Sequence, residues 1–144
     1  MKNEVRSAGM VAMLIVAFGD SFTTFVGLAS IFKPSLEQWV RLLYCLFPTL
    51  GILVLLLFTR RVFGIKDAPF QFFKWLWVAA VVFDFWTSLR AGVIMLTVGP
   101  FDVIAEQPLM PLFHQLTAEL FGVLILGVII MCSCPILFSY IQEE

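Results

Sequence analysis

The sequence predicts an all-α, polytopic membrane protein: four transmembrane helices as two tandem parallel-repeat hairpins, with both termini cytoplasmic. Three observations lead there. Of 144 residues, 61% are hydrophobic and only 13% charged, too little polar surface to clothe a soluble domain of this size. Four apolar stretches are each long enough to cross about 30 Å of hydrocarbon as a helix. Positive charge is concentrated in one connecting segment, which sets the orientation.

The first span is expected over 8–32. It opens as "MKNEVRSAGMVAMLIVAFGD", with Lys2 and Arg6 ahead of an apolar core, as a signal peptide does. The apolar run continues past Asp20 to Phe32 without a small-x-small cleavage site, so it reads as a retained first helix. The second span, 39–58, begins at Trp39 and carries "LGILVLLLF", a bulky aliphatic run suited to lipid. Arg41, near its start, can snorkel to the interface. These two spans form one hairpin, 8–58.

The segment 59–74 follows, carrying Arg60, Arg61, Lys66 and Lys74. Positive loops stay on the cytoplasmic side, and two crossings before it place the N-terminus inside as well, in agreement with Lys2 and Arg6. Phe70, Phe72 and Phe73 beside Lys66 and Lys74 fit either an interfacial segment touching anionic lipid or an ordinary connecting loop, which is the simpler reading.

The third span, 75–98, starts with Trp75 and Trp77. Indole rings favour the headgroup level, as Trp39 does at the opposite end of span two. The external loop 99–115 holds Asp102 and Glu106 but no Lys or Arg, and Pro100, Pro108 and Pro111 prevent a continuous helix. Its apolar Val103, Ile104, Leu109 and Met110 fit packing on the membrane surface, over the bundle mouth or against a partner. The fourth span, 116–141, contains "FGVLILGVII" and closes the second hairpin, 75–141. One four-helix transmembrane domain accounts for residues 1–144.

Two segments repeat a polar pattern. Asp20, Thr23, Thr24 and Gly27 in span one match Asp84, Thr87, Ser88 and Ala91 in span three, with Phe22 and Trp86 as an aromatic match inside each. Spans one and three run in the same direction, so the repeat is parallel, with any pseudo-twofold axis along the membrane normal. Positions i, i+3, i+4 and i+7 share one helical face, so each set forms a narrow polar stripe. Small or polar residues extend both seams: Gly19, Thr23 and Gly27, and Ala80, Asp84, Ser88 and Gly92. Such seams let membrane helices approach closely and hydrogen-bond. Spans one and three are therefore expected to build the protein-facing interior, with two and four toward lipid. Four helices offer little volume to hide two acids, which predicts burial through self-association.

A charged side chain at the bilayer centre costs about 2.5–3.5 kcal/mol on insertion scales. Arg90 and Glu119 fall at similar depth and are expected to neutralise one another as a structural ion pair. Asp20 and Asp84 have no basic partner at their own depth. They can be protonated and donate hydrogen bonds, face a wet cavity as ion or proton sites, or cap a break in a helix.

Enzyme chemistry is not expected. His114 is the sole histidine, Ser21 and Ser88 have no base placed beside them, and Cys45, Cys132 and Cys134 read as small membrane-core residues. No metal site, cofactor or nucleic-acid partner is expected; the net charge is −1. The resulting expectation is a small self-assembling integral membrane protein, in the plasma membrane if prokaryotic. Membrane lipids and further copies would be its partners. Asp20, Thr23, Thr24, Asp84, Thr87 and Ser88 would line an ion or proton pathway. The alternatives are an accessory or assembly subunit of a larger membrane complex and a membrane-permeabilising effector.

Overall fold

A computed structural model describes residues 2–31, 38–64, 66, 71–99, 112 and 114–141. Five helices follow in chain order: α1 (Lys2–Ala29), α2 (Gln38–Leu57), α3 (Thr59–Gly64), α4 (Phe72–Thr97) and α5 (Ala118–Ile141). All but α3 are long and apolar enough to cross a membrane, over Ser7–Ala29, Trp39–Leu57, Phe72–Thr97 and Ala118–Ile141. The expected spans thus recur with small shifts at their ends.

The ends have local causes. The last carbonyls of a helix lack partners within it, and around the C-terminus of α1 side chains supply them. Ser30 Oγ donates to Gly27 O at 2.6 Å, Arg41 donates to Ala29 O, and Arg90 donates to Ser30 O at 3.2 Å. Two guanidinium groups there also complement the negative end of the helix dipole. Arg41, expected to reach for the interface, also caps a neighbouring helix there. The other end of the bundle shows a second departure: part of the expected loop 59–74 is the helix α3. Thr59 is its anchor, donating to Leu56 O at 2.5 Å and accepting from Trp77 Nε1 at 2.9 Å. Phe63 then meets the Trp77 ring edge-on with centroids 5.0 Å apart. At the far end of α4, Gly99 takes φ 108° while its N–H bonds Ile94 O at 3.2 Å. That left-handed turn suits glycine and ends the helix. The rest of the expected external loop, including Asp102 and Glu106, lies outside the described residues apart from Leu112, His114 and Gln115.

Contacts fix the relative directions. Thr24 meets Asp84, Gly27 meets Thr87 and Ser30 meets Arg90, so residue numbers rise together and α1 and α4 are parallel. α5 is antiparallel to both. Met131 approaches Gly19 while Leu124 packs near Val26, and Leu124 meets Gly92 while Ile136 packs near Ala80. Together with α2 they make a four-helix bundle.

In lipid no hydrophobic force holds such a bundle together, so close packing and interhelical hydrogen bonds must. Gly27 shows this most directly: a Cβ there would run into the Thr87 carbonyl oxygen. Two apolar clusters flank the middle of α4. Val26, Ala91, Val93, Ile94 and Leu112 form one, and Ile52, Leu56 and Ala80 the other. Between them lie the buried Asp84, Thr87 and Ser88.

Spans two and four lie toward the outside as expected, burying smaller shares of their residues than α1 and α4, but α5 also carries an inner stripe. Leu120, Val123, Leu126 and Ile130 are exposed as expected, but Val128, Cys132, Pro135 and Ser139 are buried. Their spacing of four, three and four residues is a helical stripe, and it packs α5 along α1 as well as α4. A uniformly aliphatic helix carries no polar contrast to mark its inner face, so the stripe leaves little trace in the pattern.

Candidate functional site

Asp20 and Asp84 come together between α1 and α4, each only 2% exposed. The two polar stripes meet as their spacing implies, and the bonds between them are reciprocal. Thr24 Oγ1 donates to Asp84 Oδ1. Its counterpart in the other stripe, Ser88, donates through Oγ to Asp20 Oδ1 at 3.3 Å. Thr24 and Ser88 hydroxyls also lie 3.3 Å apart, and Thr23 Oγ1 lies 2.9 Å from Ser88 Oγ while donating to Asp20 O at 2.8 Å. Five expected residues therefore share one hydrogen-bonded locus.

Thr87 sits beside them but does something different. Its hydroxyl folds back onto its own helix, toward Phe83 O at 2.9 Å and Asp84 O at 3.0 Å, while its backbone provides the surface that Gly27 touches. The packing residues divide among neighbours. Gly27 faces α4, Gly19 faces Met131 of α5, Gly92 faces Leu124 of α5, and Ala80 packs with Ile52 and Leu56 of α2. Arg90 is held by Ser30 Oγ at 2.6 Å, and Glu119 stands exposed in the first turn of α5.

One participant was not anticipated. Cys132 on α5 is buried, and its thiol donates to Asp20 Oδ1 at 3.5 Å. A carboxylate oxygen from each aspartate and the Cys132 sulfur lie within 4.8 Å of one another. Residues 132 and 134 were expected as generic small core residues; only a fourth helix folded against α1 brings the first of them to the acids. With α5 in place, a single chain buries both aspartates, so the volume argument for self-association falls away.

Among the described residues Asp84 Oδ2 is fully buried without a hydrogen-bond donor, whereas buried polar atoms are nearly always satisfied. Beside the locus a groove of about 350 Å³ runs between α4 and α5, lined by Gly92, Leu124, Gly127 and Met131 and reaching Thr23 and Ser88. Its lining is almost wholly apolar, with Thr23 and Ser88 at its edge and the exposed Leu96, Leu120 and Val123 at its mouth. Comparison with protein-family models, curated proteins and solved structures finds no match to the chain.

Proposed function

We propose that this chain is a small integral membrane protein whose α1–α4 contact handles a cation or proton, with Asp20 and Asp84 as the charged sites. The observation that carries the reading is their convergence at 2% exposure with Asp84 Oδ2 unsatisfied. Acids inside membrane helices are rare, and those retained mark ion and proton routes. Thr23, Thr24 and Ser88 supply relay hydroxyls or oxygen ligands. Thr87 contributes packing rather than a ligand.

Two further elements belong to the proposal. The exposed Arg60 and Arg61 of α3 support a cytoplasmic side for that end of the bundle and, with it, for both termini. The reciprocal bonds between matching positions support a duplicated hairpin, α1–α2 and α4–α5, about an axis along the membrane normal.

The test is proton and monovalent-cation flux into liposomes containing the pure protein, with Asp20→Asn/Asp84→Asn as control. Flux in wild type that the double variant abolishes is expected; a silent wild type across pH and potential, or a double variant that conducts equally, defeats the proposal. A second reading, an accessory subunit locked by its polar seam, is favoured by the reciprocal hydroxyl–carboxylate bonds themselves. It predicts no flux, but a loss of folding stability when Thr24 or Ser88 is removed.

A further inference from the structure

Two carboxylates and a thiol from three different helices are an unusual set to bury together. Acids alone would suit protons or hard cations, which take oxygen ligands. A sulfur in the same cluster changes the preference, because thiolate favours borderline and soft metals and imposes low coordination numbers. Their mutual separation of at most 4.8 Å is close to what one ion requires: bonds of about 2.0–2.3 Å at a tetrahedral centre put ligand atoms roughly 3.5 Å apart. Closure by about an ångström is a rotamer adjustment of side chains, not a rearrangement of helices.

We propose that Asp20, Asp84 and Cys132 form a binding site for a borderline divalent transition-metal ion of the zinc class. The proposal deepens the reading of the acid pair as an ion site and rests on it, but does not depend on flux.

Three features fit such a site. Asp84 Oδ2 is a buried oxygen with no competing hydrogen bond to surrender. Thr24 and Ser88 each donate to one carboxylate, the outer contact by which metal-ligating groups are oriented. Three protein donors leave a fourth position for a water or for one of those hydroxyls, the arrangement of sites that exchange or use their ion rather than merely hold it. Loading releases protons: the Cys132 thiol, now a donor to Asp20, gives up its proton when its sulfur becomes a ligand, as does either acid that holds one. The two positive charges of the ion then offset two of the three negative ligands.

Cobalt(II) is the probe, because its thiolate charge-transfer and tetrahedral ligand-field bands report both sulfur ligation and geometry. Chelator-stripped protein in lipid nanodiscs is titrated with Co²⁺ alone, then challenged with Zn²⁺ and with excess Mg²⁺. One Co²⁺ per chain is expected, with both bands present, displaced by Zn²⁺ and not by Mg²⁺. Cys132→Ser should erase the charge-transfer band and weaken binding by ~10–100-fold or more, since even outer contacts of metal sites are worth that much. The Cys45→Ser/Cys134→Ser variant should keep the band. Asp84→Asn should weaken binding at least as much, and size-exclusion elution with helical circular dichroism checks that each variant is folded. Absence of the charge-transfer band in wild type, or its survival in folded Cys132→Ser, overturns the site. Liposome flux measured in chelator separates the two readings. Metal-free proton flux that needs the aspartates, without Co²⁺ binding, retains the pathway and removes the metal site. Co²⁺ binding without any flux does the reverse.

Discussion

Asp20 and Asp84 occupy matching positions of one repeated pattern and are equally buried, at 2% exposure, yet their surroundings differ. Asp20 accepts from Ser88 on α4 and from Cys132 on α5, both at Oδ1. Asp84 accepts from Thr24 alone among the described hydrogen bonds, and its Oδ2 is left over. The stripes themselves are nearly interchangeable, so the inequality comes from the helices that close the pair. α5 turns a thiol toward both acids, and it donates to Asp20 Oδ1. On the other side, α2 meets α4 through aliphatic Ile52 and Leu56 at Ala80, one turn before Asp84. A repeated motif therefore fixes where two acids meet, while its non-repeated neighbours decide what each acid can do.

That comparison is broken most completely where both stripes depend on one close approach. Gly27→Val forces a side chain into the Thr87 carbonyl, backbone that cannot rotate away, and separates the reciprocal bonds together. Overpacking of this kind costs about 1–3 kcal/mol, and α1–α4 contact should weaken by at least that. Unfolding in mixed micelles of rising SDS fraction measures it. Gly122→Ala and Gly51→Ala, where a Cβ meets nothing within 4 Å, should be nearly silent. A Gly27→Val protein as stable as these would show that the approach is not what holds the stripes in register.

The next effect sharpens the inequality of the acids. Thr24→Val removes the described donor to Asp84, whereas Ser88→Ala leaves Asp20 with Cys132. Hydrogen bonds between membrane helices average about 0.6 kcal/mol and reach about 1.7. Thr24→Val is expected near the upper figure and Ser88→Ala near the lower, by the same SDS titration. Equal losses would make the two acids equivalent after all.

The parts of this arrangement differ in how far sequence reveals them. The four long helices are legible because spanning hydrocarbon demands some twenty apolar residues, a signal too long to arise from packing alone. The meeting of Asp20, Thr24, Asp84 and Ser88 is legible because polar residues stand out against that background at a helical period. α3 is not: six residues, Thr59–Gly64, hold too little periodicity, and Thr59's bond to Trp77 is a tertiary event. Arg41 and Arg90 read as charges in need of water or an acid, and each also reaches backbone around the end of α1. Helix-terminal carbonyls carry partial negative charge that no residue letter announces. Cys132 was hidden for a related reason. Its helix is apolar on every side, so nothing in the pattern distinguishes the inner stripe from the outer one.

The smallest predicted effect tests whether Cys132 is the source of the inequality. Cys132→Ala alone should cost a few tenths of a kcal/mol, since a thiol is a weak donor and Asp20 keeps Ser88. The informative quantity is the coupling. In the Cys132→Ala background, Ser88→Ala removes the second described donor to Asp20, so its cost should rise by about 0.5–1 kcal/mol, within the range seen for residues sharing a hydrogen-bonded network. Thr24→Val acts first on the other acid, so its cost should change less between the two backgrounds than that of Ser88→Ala. Both cycles contain the same lost sulfur volume, so a simple packing defect cancels between them. Additivity of Ser88→Ala with Cys132→Ala to within about 0.3 kcal/mol would remove α5 from the explanation. The difference between the acids would then lie in α1 and α4 themselves.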